Sequence, residues 1–449
     1  MGLADALSDA HTLPPGIAAE LAKEGGRVTF ACFMELALTH PEEGYYVTAD
    51  RLLGHRGDFT TAPRRSAAFN RAMTRLLTDL IDAARADDPA GGPIAVVEVG
   101  GGVGDLAAAI LGEWNVHRPD LRDVVIYSII EIGPELQKRQ ALALSELMER
   151  GWRVRWAATL SRLSARSGAD GRSAIIFGNE FVDALPVHLV DVSGPATREA
   201  WVKMVGLPGP GEADGEVAIG VAAEDGAVTG GAAERGAVTG GALVGDAVVR
   251  SSLRCGIVEE WGGLSSLAED ELCSLYGSTD AVALRSLTRD GVIELRPAVR
   301  SLLAEAASFA HGVCVVTVDY GDWPEGMHDA GGCGSCCAQP PPLRGRTVRG
   351  YFKHQLTSDP YTRAGSQDLT ADVDFRALDL HGAESGFETV LFLTLAAFLQ
   401  AAGADQELVD LRREAAGSLD ADRHAAVLAA LLDPEDVGGA FKVMLQVKE

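Results

Sequence analysis

The chain has 449 residues, 47% of them hydrophobic and 23% charged, and a formal net charge of −25 at pH 7. Such a length buries a large core, as one big domain with an insertion or as two domains, and no stretch reaches the roughly 18 uninterrupted apolar residues of a membrane span. The acidic excess argues against a nucleic-acid partner, because phosphate binding needs basic surface, and the seven cysteines, odd in number and thinly spread, argue against a disulfide framework.

The N-terminus carries Asp5 and Asp9 and shows neither the basic region of a secretory signal nor an Arg-rich amphipathic presequence. Residues 1–75 read as an N-terminal helical lid segment, with extended stretches around Gly44-Tyr45-Tyr46 and Gly57-Asp58-Phe59-Thr60-Thr61. A helix from about Arg65 to Ala86 leads through the Asp/Pro/Gly linker 87–93 into the first half of an α/β core, residues 76–190. The apolar run from Ile94 ends in Glu98, glycine falls at 100, 102 and 104, and a helix-compatible segment, Leu106 to Leu111, follows. This pattern predicts a buried parallel strand turning through a Gly-rich loop into a helix, the nucleotide-cradling unit of an open α/β sheet.

The spacing discriminates between nucleotides. A dinucleotide fingerprint wants G-x-G-x-x-G, and its third glycine position is Asp105 here. G-x-G-x-G preceded by Glu is the pattern of S-adenosylmethionine methyltransferases, whose cofactor has no pyrophosphate to seat on a helix end; a Gly-rich loop without that cofactor is the alternative. Residues 124–130 read as the next strand, and Glu131 at its end is placed to accept hydrogen bonds from both ribose hydroxyls. Gly133-Pro134-Glu135 then opens a helix, proline being tolerated in a first turn.

A third strand near 174–178 ends in Asn179-Glu180-Phe181-Val182-Asp183-Ala184-Leu185-Pro186. Ligands of open α/β sheets sit beyond the carboxyl ends of the strands, so Asn179, Glu180 and Asp183 are expected on the same rim as the Gly-rich loop. Methyl transfer is an in-line displacement that depends on positioning, and carboxylates hold a planar guanidinium fork bidentately. Glu180 is the first candidate for that clamp, Asp183 the second carboxylate and Asn179 a positioning amide; Asp183 also suits a helix cap or first-turn acid.

From about residue 191 the pattern changes to an inserted subdomain, 191–290. It holds a tandem duplication, AAEDGAVTGG at 222–231 and AAERGAVTGG at 232–241, whose Gly/Ala composition predicts a surface expansion without chemistry. The α/β pattern resumes near Gly291 for the second half of the core, 291–449, with a buried strand at 313–321. A Gly/Cys/Pro-rich loop at 324–342 contains His328, Cys333, Cys336 and Cys337. Adjacent cysteines are an awkward tetrahedral pair and a second C-x-x-C is missing, so no metal site is expected.

Seven segments occurring in this order resemble the MidA family, the mitochondrial complex I assembly methyltransferases and their bacterial relatives. They are Gly44-Tyr45-Tyr46, residues 57–63, Glu98 to Gly104, Asn179 to Pro186, Val318-Asp319-Tyr320-Gly321, residues 367–375 and Phe441-Lys442-Val443. The resemblance implies a Rossmann-like class I fold that uses S-adenosyl-L-methionine. In mitochondrial members it implies symmetric dimethylation of an arginine on a core subunit of complex I, in the matrix; a prokaryotic source implies the cytoplasm. It also implies that Gly57, Asp58 and Phe59, with the 368–374 segment, border the cofactor and substrate cleft. The polar residues at 368, 370, 372 and 374 equally fit an edge strand with one solvated face. Arg64-Arg65 and Asp372 depart from the family pattern, as does most of 191–290. A methyltransferase with another substrate, a non-catalytic assembly scaffold and a nicotinamide dehydrogenase remain as alternatives.

Overall fold

The computed structural model describes residues 13–48, 66–88, 92–167, 173–206, 255–323, 345–353, 355–414 and 419–449. Gly57, Asp58 and Phe59, the repeat at 222–241 and the cysteine-rich loop lie outside these residues.

The N-terminal segment supplies strand β1 (Arg27–Thr29), and β2 (Ile94–Val99), β3 (Val125–Ile130), β4 (Val154–Ala157) and β5 (Ser173–Asn179) follow. Next come β6 (His188–Asp191), β7 (Arg198–Gly206), β8 (Cys255–Gly262) and β9 (Val292–Leu295). The C-terminal part contributes β10 (Gly312–Asp322), β11 (Arg349–Phe352), β12 (Gln355–Thr357), β13 (Asp368–Thr370) and β14 (Val373–Asp374). Strands β15 (Glu388–Thr394) and β16 (Phe441–Lys448) complete the set.

The main sheet runs β15-β16-β10-β5-β2-β3-β4, with β14 beside β10. Strands β2 to β5 and β10 pair in parallel, and β16 runs antiparallel to both of its neighbours. Strand order reverses between β2 and β5, which places the ligand crevice outside Val99 and Asn179. Both faces are covered, so the strands read as continuous apolar runs. Val96, Tyr127, Ile175 and Phe177 pack with the helix Ala67–Asp87 on one face. Val97, Val99, Ile176 and Val315 pack with the helix Pro297–Ala307 on the other. Ser66 caps the first of these helices by accepting from the Phe69 N–H at 3.4 Å.

A second, antiparallel sheet runs β1-β7-β6-β9 with β8 on β7, and a three-stranded sheet runs β12-β11-β13. Strand β1 pairs with β7 across more than 170 residues of chain, Val28 opposite Val202. The second sheet therefore unites the N-terminal segment with residues on both sides of position 191. Strand β9 lies where the α/β pattern was expected to resume, yet it pairs with β6; the main sheet resumes only at β10. Two other expectations are corrected. Residues 44–46 form turns rather than an extended stretch, because the Gly44, Tyr45 and Tyr46 N–H groups bond back to the His40, Ala37 and Leu38 carbonyls. The 368–374 segment has no solvated face: it divides into β13 and β14, and Asp368 and Thr370 are buried. No helix among the described residues is long and apolar enough to cross a membrane.

Phe69 is fully buried between the helix and the sheet. Phe69→Ala is expected to lower unfolding free energy by about 3–5 kcal/mol in a urea titration, whereas a change below about 1 kcal/mol would show that this face is loosely packed.

Candidate active site

The cofactor half of the site is built on β2 and β3. Gly102 has φ of 51°, a left-handed value that side chains resist, and a Cβ built on it meets no atom within 4 Å. The loop thus presents bare backbone to open space, as a cradle for a flat or charged ligand requires. Gly100, at φ 71°, faces Phe181, whose ring would lie 2.8 Å from a Cβ there. Gly104 caps the helix Asp105–His117. Glu98 is buried within the end of β2 and accepts the Tyr127 hydroxyl at 2.8 Å. Glu131, just past β3, accepts the Gly133 N–H at 2.9 Å and the Gln140 amide at 3.1 Å. Burial pushes both carboxyl groups up to about 7, against the pull of these hydrogen bonds.

Gln140 ties this half together. Its amide nitrogen also reaches the Gly102 carbonyl at 2.8 Å, and its amide oxygen accepts the Trp156 indole N–H at 2.9 Å. One fully buried side chain thus couples the Gly-rich loop, the β3 acid and β4.

The second half lies past β5 and β10. Glu180 stands at φ 51°, a position costly for a residue with a side chain. Its N–H is held by the Val318 carbonyl at 2.9 Å, and its carboxylate takes the Asn179 amide at 3.2 Å. Phe181, the next residue, is the side chain packed on Gly100, so this turn and the Gly-rich loop are neighbours. Asp183 is 4% exposed; no helix follows it, and it does not cap one. Instead Oδ2 accepts the Tyr320 hydroxyl. Burial raises the Asp183 carboxyl above the usual range, partly opposed by Tyr320, Arg296 and Arg349. Its Oδ1 and Asn179 Oδ1 are buried without a hydrogen-bond partner among the described residues. Such acceptors are costly unless something donates to them.

Gln140 and Arg296 carried no signal in the sequence, and the contact Tyr46 makes was not visible there. Arg296 is buried and donates to the carbonyls of Asp183, Leu185, Ala371 and Asp372, at 3.0–3.4 Å, stapling the turn to the 371–372 segment. Tyr46 gives its hydroxyl to Asp368 at 2.7 Å while its carbonyl lies against Gly133, spanning the two halves. The expected groups Glu98, Gly100, Gly102, Gly104 and Glu131 share one end of the sheet with Asn179, Glu180 and Asp183. No group of three or more metal-ligating side chains occurs among the described residues.

Comparison with known proteins points to S-adenosyl-L-methionine-dependent methyl transfer. The family model described as "Putative S-adenosyl-L-methionine-dependent methyltransferase" matches residues 78–393, most of the chain. The protein arginine methyltransferase NDUFAF7 homolog, mitochondrial, of Drosophila melanogaster is 26% identical over 374 residues, 80% of this chain and 67% of that protein. The mouse protein arginine methyltransferase NDUFAF7, mitochondrial, is 30% identical over 199 residues, 40% of this chain. The match thus spans 43% of the mouse protein's length. Among solved structures, a Burkholderia thailandensis protein bound to S-adenosyl-homocysteine superposes with a TM-score of 0.65 at 23% identity. That superposition covers 96% of this chain and 90% of the other, and shows a shared fold.

A ligand whose hydroxyls donate to Glu131 favours the ionised carboxylate. Between the ordinary value of 4.5 and about 7 the folded protein keeps a proton that the unfolded chain has lost. The Glu131 contribution to stability therefore declines as pH rises through that window. Ligand binding is expected to release that proton and to tighten as pH rises towards 7. Calorimetry with S-adenosyl-homocysteine near pH 6.5, in buffers of different ionisation heat, should register the release. Glu131→Gln should abolish it and weaken affinity about tenfold, or ~1.4 kcal/mol; unchanged proton release would remove Glu131 from the contact.

Proposed function

Because this chain belongs to the S-adenosyl-L-methionine-dependent methyltransferase family, we propose that it is a protein-arginine N-methyltransferase. Its substrate in this reading is an arginine on a core subunit of respiratory complex I, dimethylated symmetrically during assembly. The names of the fly and mouse relatives support arginine as the acceptor. The observation that carries the reading is a pair of buried acceptors, Asp183 Oδ1 and Asn179 Oδ1, with no partner among the described residues, on the turn that touches the Gly-rich loop. They fit a donor-rich cation such as a guanidinium, which has five N–H groups and no acceptor.

Glu98, Gly100, Gly102, Gly104 and Glu131 would hold the cofactor. The open space over Gly102 and the paired acids fit a nucleoside with free ribose hydroxyls. When bound, S-adenosyl-L-methionine supplies a sulfonium-activated methyl carbon, and the C–S electron pair returns to sulfur as the acceptor's lone pair forms the N–C bond. Every other task falls to this chain. Glu180 and Asn179 orient the guanidinium plane, and the left-handed backbone at Glu180 fixes the direction from which its carboxylate approaches. Asp183 Oδ1 accepts an N–H and takes the proton that the nitrogen sheds. Burial strengthens each of these charge-assisted bonds. The mitochondrial matrix is the compartment this reading implies for a eukaryotic source, and the cytoplasm for any other.

Glu180→Gln keeps the side-chain shape and removes the charge. We expect cofactor affinity within about twofold of wild type and methyl transfer reduced more than tenfold, a loss of over ~1.4 kcal/mol of transition-state stabilisation. The assay is labelled methyl transfer to complex I isolated from cells lacking this protein, with dimethylarginine identified by mass spectrometry. Transfer at wild-type rate in Glu180→Gln, or no arginine labelled by the wild type, contradicts the proposal.

A further inference from the structure

Two consecutive residues of β10 grip the Asp183 turn in different ways. Asp319 is fully buried, and its Oδ2 accepts the N–H groups of Val182 and Asp183 at 3.0 and 3.1 Å. Its Oδ1 accepts the N–H of Tyr320 at 2.9 Å. Asp319 therefore holds the backbone of the turn. Tyr320 holds the side chain, by donating its hydroxyl to Asp183 Oδ2. The Tyr320 ring is itself fixed on two sides. Phe441 packs edge-on with centroids 5.3 Å apart, and the Arg349 guanidinium lies 4.8 Å over the ring. Arg349 is anchored in turn by Asp372 Oδ1 at 2.7 Å.

This arrangement leaves Asp183 with Oδ2 held by Tyr320 and Oδ1 buried with no hydrogen-bond partner among the described residues. We propose that Tyr320 is a positioning residue of the methyl-transfer step: by occupying Oδ2 it orients the Asp183 carboxylate so that Oδ1 alone meets the substrate N–H and collects its proton. The inference rests on the proposed reading of Asp183. The proton moves from the acceptor nitrogen to Oδ1, while the Tyr320 proton stays on its own oxygen throughout and stabilises the carboxylate as a donor. The charged groups around Asp183 are Arg296 and Arg349, which favour its ionised form. Opposing them is the Asp319 carboxyl, and Glu180 and Asp368 are the further acids of the site. Tyr46, which bridges to Asp368, is the other phenol close to Asp183. Tyr320 is the neighbour that touches the reacting carboxylate through a side-chain hydrogen bond, and losing that bond destabilises the ionised form.

The test follows the Asp183 carboxyl directly, by difference infrared titration of the full chain saturated with S-adenosyl-homocysteine. The band that disappears in Asp183→Asn identifies it. In Tyr320→Phe its midpoint should move up by about one pH unit, with the acidic limb of the kcat profile moving alongside and S-adenosyl-homocysteine affinity within about twofold. Replacing Tyr320 by 3-fluorotyrosine strengthens the donor without removing any packing, and should move the midpoint down; this arm decides the matter if Tyr320→Phe folds poorly. An unmoved midpoint in both variants, with any loss of kcat uniform across pH, overturns the inference and leaves Tyr320 as packing. Wild-type transfer by Asp183→Asn is a different failure, since it removes the role of Asp183 itself.

Discussion

Carboxylates buried at the carboxyl ends of parallel strands are the constraint around which this molecule is arranged. Glu98, Glu131, Asp183 and Asp319 are each less than 10% exposed at one end of the main sheet. Taking a carboxylate out of water costs several kcal/mol even after relaxation, and hydrogen bonds to a charged group return about 1.5–3 kcal/mol each. Each acid accordingly has its own donors: Tyr127 for Glu98, Gly133 and Gln140 for Glu131, Tyr320 for Asp183, and three backbone N–H groups for Asp319. Asp183 alone of the four retains a buried oxygen with nothing donating to it among the described residues, and the proposed function assigns that oxygen to a substrate N–H. The two halves of the site share this design but serve different ends. In the proposed reading Glu98, on β2, and Glu131, just past β3, meet the cofactor from the side of the Gly-rich loop, while Asp183, past β5, and Asp319, on β10, serve the transfer centre.

Elements outside the main sheet close the site from above. The N-terminal turn carries Tyr46 from the wall at Gly133 to Asp368, and Arg296 holds the 183–185 turn against 371–372 with one guanidinium. Removing the Arg296 head group would orphan four carbonyl contacts at once, so this side chain works as a covalent-like staple made of hydrogen bonds. The second sheet joins β1 to β7 and thereby anchors the N-terminal segment on the inserted residues. Its place in the fold explains how a segment so early in the chain reaches the carboxylate end of the main sheet.

Much of this was legible in the residues because parallel strands buried on both faces leave an unmistakable trace. The runs at 94–99, 124–130, 174–178 and 313–321 appear as β2, β3, β5 and β10 with shifts of a residue or two. Acids that end such runs could be placed from chain direction alone, which is why Glu98, Glu131, Glu180 and Asp183 were visible. Residues whose role depends on a distant partner were not. Gln140 sits on an ordinary helix, and only the packing of Pro134–Ala143 against the loop brings its amide to Gly102. Asp368 and Thr370 alternate like a solvated edge, but both are buried, and Asp368 accepts the hydroxyl of Tyr46 from more than 300 residues away. The pairing of β1 with β7 is equally non-local, and no short-range pattern encodes it. Asp319 looked like one polar residue in an apolar strand; its three N–H partners belong partly to a turn more than 130 residues earlier.

In the proposed reading the Gly-rich loop after β2 is the seat of S-adenosyl-L-methionine, and the carboxylate rim is organised around it. Calorimetric titration of that cofactor into wild type and Gly102→Val in parallel tests it most directly, with thermal melts confirming that both are folded. Valine at this left-handed position would strain the loop and occupy the open space above it. Micromolar binding is expected of the wild type and none of the variant. Binding that survives in Gly102→Val, or no binding by well-folded wild type, contradicts it.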